Sequence, residues 1–171
     1  MSKSPREFIP LSVALLTVSD NRDQHSDSSG DYFREAVTAA GHRVTEQVIC
    51  QDNCYHLRAV VSRWIAGEQV QVVIVNGGTG FHAKNSTPQA LLPLFDRTID
   101  GFGELFRMIS YEEIGSATLQ SRAVAGMANR TLIFAVPGST AACRQAWERI
   151  IASQIDAATA PCNFVSQLKN Q

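Results

Sequence analysis

Val70-Gln71-Val72-Val73-Ile74-Val75, then Asn76-Gly77-Gly78-Thr79-Gly80, then the polar Phe81 to Ser86, then Thr87-Pro88-Gln89-Ala90-Leu91-Leu92 follow one another without interruption. The order reads as strand, glycine turn, loop and helix. A run rich in β-branched residues that ends in glycines lets the main chain approach a ligand where any Cβ would intrude. Thr87 as N-cap and Pro88 in the first turn predict a helix N-terminus with unpaired N–H groups, which suggests an anionic ligand. The run lacks the Gly-Lys-Ser/Thr ending of a P-loop, because Asn85 follows Lys84, and it does not fit the dinucleotide fingerprint.

Working outward, the pattern repeats. Ser12 to Val18 is a continuous apolar run of the kind buried on both faces of a sheet. It ends in the polar Ser19-Asp20-Asn21-Arg22, and after Ser28-Ser29-Gly30, which can cap, Phe33, Ala36, Val37 and Ala40 share a helical face. Val44 to Ile49 predicts a second strand, Asp52-Asn53 a cap, and Cys54 to Ala66 a helix. After a long mixed segment, Thr131 to Val136 predicts a last strand, with Ser139 capping the helix that carries Ala142, Ala146, Trp147, Ile150 and Ile151. Strands alternating with helices imply right-handed crossovers, a mostly parallel central sheet and a three-layer α/β/α sandwich. In such sheets ligands bind beyond the carboxyl ends of the strands. Here those ends are Ser19-Asp20, Gln51-Asp52, Asn76 to Asn85 and Pro137-Gly138-Ser139.

With 171 residues the chain suits one domain, 1–171, with terminal arms at 1–10 and 161–171. A net charge of −1 argues against nucleic acid as the main partner. No apolar stretch is long enough to span a bilayer and the start has no signal-peptide core, so a cytoplasmic protein is expected. The four cysteines lack paired C-x-x-C spacing, so neither a disulfide framework nor a zinc ribbon is indicated. Arg107 and Arg122 read either as surface ion-pair partners or as phosphate ligands. The segment from Ile99 to Ile114 is rich in large apolar residues, more than an exposed connection usually carries.

These motifs in this order resemble the MoaB/MogA family of molybdenum cofactor biosynthesis proteins, over nearly the whole chain and closer to the MoaB branch. The family's Thr-x-Ser-Asp is matched by Thr17-Val18-Ser19-Asp20 and its Asp-x-Ser-Gly by Asp27-Ser28-Ser29-Gly30. Its Gly-Gly-Thr-Gly, Thr-Pro, Gly-Phe-Gly-Glu and Pro-Gly-Ser follow at Gly77 to Gly80, Thr87-Pro88, Gly101 to Glu104 and Pro137-Gly138-Ser139. The resemblance implies a molybdopterin-binding domain that, in active members, uses ATP and Mg²⁺ to adenylylate the terminal phosphate of the pterin. It also implies a homotrimer or homohexamer, working beside other molybdenum cofactor biosynthesis proteins.

Carried over position by position, the resemblance makes Asp52 and Asn85 the catalytic candidates, with Asp52 also the metal ligand. The substrate and nucleotide contacts become Ser19, Asp20, Gly77, Gly78, Thr79, Gly80, Thr87, Glu104, Arg107, Ser121, Arg122, Pro137, Gly138 and Ser139. One departure stands out. Active members carry a second Asp where this chain has Asn85, and a Glu where it has Gln89. An amide brings no charge and cannot act as a base. Two readings result: a molybdopterin adenylyltransferase, or a binding or carrier protein that does not turn the pterin over.

Overall fold

The computed structural model describes residues 7–170, so the first six residues of the expected N-terminal arm and Gln171 of the expected C-terminal arm lie outside it. Six strands form one sheet in the order β2-β1-β3-β6-β5-β4. β1 (Ser12–Val18), β2 (Arg43–Cys50), β3 (Val72–Asn76) and β6 (Thr131–Val136) run parallel to their neighbours in that group. Two strands that periodicity did not reveal, β4 (Arg97–Thr98) and β5 (Val124–Ala128), extend the sheet antiparallel. β4 is two residues long and β5 is Val-Ala-Gly-Met-Ala, too small-residued to read as a strand. β5 is joined to β6 by Asn129 and Arg130, both left-handed at φ 45° and 59°, as a tight two-residue hairpin turn requires.

Helices α1 (Ser28–Ala39), α4 (Asp100–Ile114) and α5 (Thr140–Ala146) cover one face of the sheet, and α2 (Cys54–Ala66) with α3 (Thr87–Leu91) covers the other. Phe33, Val37, Phe102, Phe106, Trp147 and Ile151 fill the first interlayer with Leu15, Ile74 and Phe134. Leu57, Val61, Trp64 and Leu91 fill the second against Leu16, Val73 and Ile133. The alternation of core residues along β3, Val72 and Ile74 to one side and Val73 and Val75 to the other, is the strand period of two in a sheet buried on both faces. α5 continues through a π-type turn, Trp147–Ile151, into Ala152–Gln154.

The caps correct two expectations. α1 begins at Ser28 and is capped by Asp27, whose carboxylate accepts from Gly30 N at 2.9 Å, so Ser28 and Ser29 lie inside the helix. α3 is capped by Ser86 without a side-chain bond, and Thr87 is its first residue, with Oγ1 turned back to donate to Gly77 O at 2.8 Å. At five residues α3 is also too short to act as an anion-binding terminus. Asn53 and Ser139 do cap as expected, accepting from His56 N and Ala142 N.

The far end of the expected C-terminal arm is packed. Val165 and Leu168 join the core, and the Lys169 ammonium donates to the carbonyls of Trp64, Ile65 and Gly67 at the end of α2. Burial pushes the pKa of that ammonium down.

His42 gives the fold a pH dependence. Its Nδ1 accepts from Leu11 N at 3.1 Å at the entrance to β1, and the ring is buried against Phe8 at 5.0 Å. Burial lowers its pKa, with the Asp156 charge opposing. The unfolded chain therefore takes up this proton first, and the stabilisation is complete above about 6.5 and lost as pH falls below it. Urea midpoints at neutral pH and near pH 5 are expected to differ more for the wild type than for His42→Phe, which has nothing to titrate. Equal differences would rule this contribution out.

Candidate functional site

The β3 turn lies at the switch point of the sheet, where β1 leads to one side and β3 to the other. Gly77 (φ 97°) and Gly78 (φ 66°) both take conformations that L side chains rarely adopt. A Cβ on Gly77 would stand 2.3 Å from Val18 O, and one on Gly78 would stand 2.2 Å from Thr87 Oγ1. The turn is thus wedged between the end of β1 and α3, and Gly77 N donates to Val136 O at 3.0 Å, tying it to β6 as well. Substitution at Gly78 would break the Thr87 contact that shapes the turn, so it would change the loop itself as well as any ligand contact.

Beneath the loops runs a buried polar chain. Asn76 Nδ2 donates to Thr17 Oγ1, which donates to Asp27 Oδ2 at 2.6 Å. Arg22 Nη1 stands 3.5 Å from Asp27 Oδ1 and 2.9 Å from Ser29 Oγ, and its Nη2 donates to Gly138 O at 3.3 Å. This chain joins the β1, β3 and β6 loops across α1. Asn76 Oδ1 is buried without a partner among the described residues.

Ser19 Oγ accepts from Asn21 N and Arg22 N and so shapes its own loop. Asp20 Oδ1 accepts from Asp52 N at 3.0 Å. Asp52 in turn accepts from Ser86 N (2.9 Å), Ser86 Oγ (2.7 Å) and Asn85 Nδ2 (3.1 Å). The two catalytic candidates are therefore brought together, with Asn85 as donor and Asp52 as acceptor. Thr79 is buried, and its carbonyl accepts from Arg122 N. Pro137 O accepts from the Cys143 thiol, whose pKa burial pushes up to about 12.

Arg122 spends its guanidinium on the loop, donating to Gly80 O from Nε and Nη2 and to Asn85 O from Nη2. It also lies over Phe81 at 5.8 Å and lines a cleft of about 560 Å³. Thr98, Asp100, Glu104, Arg107, Leu119 and Ser121 are further walls of this cleft, between α3, α4 and β5. Glu104 is exposed there. The Arg107 guanidinium is uncommitted: among the described residues its one hydrogen bond is Nη1 to Ser121 O at 3.5 Å, and it forms no ion pair with them. Ser121 Oγ is buried without a partner among the described residues. A cation with spare donors beside an unpaired hydroxyl suits an anionic oxygen.

Residues 14–157 match a family described as "Probable molybdopterin binding domain". The chain is 59% identical over 169 residues to molybdenum cofactor biosynthesis protein B of Escherichia coli, covering 99% of both. The chain belongs to the MoaB/MogA family. The Bacillus cereus protein B is 40% identical over 154 residues, covering 90% of this chain and 89% of its own. A crystal structure of a molybdenum cofactor biosynthesis protein B superposes with a TM-score of 0.84 at 38% identity, over 90% of this chain and 94% of the other. The tungsten cofactor synthesizing protein MoaB of Pyrococcus furiosus does so with 0.74 at 30% identity, over 82% and 90%. For this MoaB/MogA chain the expected fold and pathway are therefore shown.

Among the described residues no group of three or more His, Cys, Asp or Glu side chains could hold a metal ion. Asp52, the expected Mg²⁺ ligand, has three lone-pair positions filled by protein donors, and its neighbour at 85 is an amide that presents N–H to it. This donor set does not fit a resident divalent cation, which favours several oxygen ligands with charged ones among them. Arg22 and Ser86 were not singled out from sequence as site residues, and Ser29 appeared there only as a possible cap and within the Asp27 to Gly30 motif. Ser86 could have been, as a hydroxyl just before Thr-Pro. Arg22 carries no such mark, since its partner Gly138 is distant in the chain.

Proposed function

We propose that this MoaB/MogA chain binds molybdopterin at the carboxyl ends of its parallel strands and is at most a weak adenylyltransferase. The observation that carries the binding half is the Arg107 guanidinium, uncommitted beside the unpaired Ser121 hydroxyl in a cleft large enough for a pterin. Gly77, Gly78 and Thr87 shape the turn beside this cleft, Gly80 O is tied to its wall at Arg122, Asp20 and Ser139 hold the neighbouring loops, and Glu104 lines the cleft. The catalytic half is weakened by the Asn85 to Asp52 hydrogen bond, which occupies the carboxylate that Mg²⁺-ATP chemistry would need.

The test is anaerobic titration of the purified protein with molybdopterin, followed by mass spectrometry of the pterin after incubation with ATP and Mg²⁺. Binding is expected, Arg107→Met is expected to weaken it about tenfold by removing a charge-assisted bond, and adenylylated product is expected to stay far below that of an authentic adenylyltransferase. Undiminished affinity in a folded Arg107→Met removes the assigned cleft.

A homo-oligomer belongs to the same proposal. Leu105, Met108, Tyr111 and Ile114 on α4, and Leu119 beyond it, form an exposed apolar band, with Met108 62% and Leu119 78% accessible. The trimer or hexamer expected from the family would bury it. Light scattering that returns a monomer mass at micromolar concentration would refute the assembly.

A further inference from the structure

Between the glycine turn and α3, residues 81–86 form a strap tied at both margins. Arg122 holds its main chain from one side, through Gly80 O at 2.6 Å and Asn85 O at 2.8 Å. Asp52 holds it from the other, accepting from Ser86 N, Ser86 Oγ and Asn85 Nδ2. Between these ties Phe81, His82, Ala83 and Lys84 are exposed. The strap therefore owes its closed position to a few hydrogen bonds at its edges and little to core packing.

Asn85 is the residue that decides how the strap closes. Its carbonyl faces Arg122, its Nδ2 faces Asp52, and its Oδ1 lies 2.7 Å from where a Cβ on Gly80 would be. The amide is thus seated with its donor toward the carboxylate. A carboxylate at the same position would bring two anionic oxygens to about 3 Å, where both cannot stay ionised without a proton or a cation between them. The amide does the bridging that a cation would otherwise do.

We propose that Asn85 is an internal latch: it closes the strap on Asp52 without a divalent cation, so the site takes its phosphorylated pterin metal-free. The identity of that ligand rests on the function proposed above; the latch does not. Asp52 and Asn85 are then positioning residues, acting on a ligand through the shape of the glycine turn.

The experiment is amide hydrogen exchange over residues 81–87, with tryptic cleavage after Lys84 as a second readout, on the whole protein in EDTA and in millimolar Mg²⁺. Wild type is expected to show the same protection in both, within about twofold. Asn85→Asp is expected to exchange roughly tenfold faster in EDTA and to regain protection in Mg²⁺. Asn85→Asp combined with Asp52→Asn exchanges donor and acceptor and is expected to be protected in EDTA again, a rescue that a merely damaged loop would not give. Protection of wild type that rises severalfold with Mg²⁺, or unchanged exchange in a folded Asn85→Asp, overturns the latch. Wild-type affinity for molybdopterin that rises severalfold with Mg²⁺ overturns the metal-free claim. A strap that behaves as expected in a protein that does not bind molybdopterin upholds the latch and sinks only the functional reading.

Discussion

Gly77→Ala is expected to lower the melting temperature by roughly 5–15 °C, the shift that a loss of about 2–4 kcal/mol produces in a domain of this size. The cause is the 2.3 Å approach of the new Cβ to Val18 O together with φ at 97°. The obstacle is main chain held in the sheet between β2 and β3, so it cannot rotate aside as a side-chain terminus can. Gly101→Ala is the control. It lies in the first turn of α4 with nothing within 4 Å of its Cβ, so its melting temperature should match or slightly exceed that of the wild type. Calorimetry of the three proteins checks the pair, and a Gly77→Ala protein melting with the wild type would show that the wedge is softer than its geometry implies.

Asn85→Asp is expected to raise adenylyl transfer at least about tenfold when Mg²⁺ is supplied, which needs only ~1.4 kcal/mol of transition-state stabilisation. The substitution removes the Asn85 Nδ2 donor from Asp52 and sets a second carboxylate beside it. Two adjacent carboxylates offer the charge that a hard divalent cation prefers. Mass spectrometry of the pterin product across Mg²⁺ concentrations measures it, with Asn85→Asp combined with Gln89→Glu alongside. Should wild type already match an authentic adenylyltransferase, or should the variant change neither rate nor Mg²⁺ dependence, Asn85 does not limit the chemistry.

Much of the scaffold was legible because it rests on local chemistry. The continuous apolar runs of β1, β3 and β6 announce strands covered on both faces, and Asn53 and Ser139 announce their helices by capping them. What stayed hidden depends on residues far apart in the chain. β4 and β5 have no strand pattern of their own: β5 is a strand because it pairs along its length with β6, and β4 because Arg97 and Thr98 meet Met127 and Gly126. Thr87 looked like a cap, but tertiary contact turned its hydroxyl to Gly77. The candidate site reads in the sequence as a set of polar strand ends, and its bonding does not. That Arg122 would be consumed by the Gly80 and Asn85 carbonyls, while Arg107 stays uncommitted, follows from loop geometry that no spacing encodes.

The order of assembly follows from the sheet topology. β3 pairs with β1 on one side and β6 on the other, and each pairing joins segments remote in the chain. Such contacts close large loops and are late and slow to form. The glycine turn is shaped by both neighbours, through the approach of Gly77 to Val18 and its bond to Val136. The proposed binding turn therefore takes shape only once all three strands have docked, and a refolding chain should recover its secondary-structure signal before any affinity for molybdopterin.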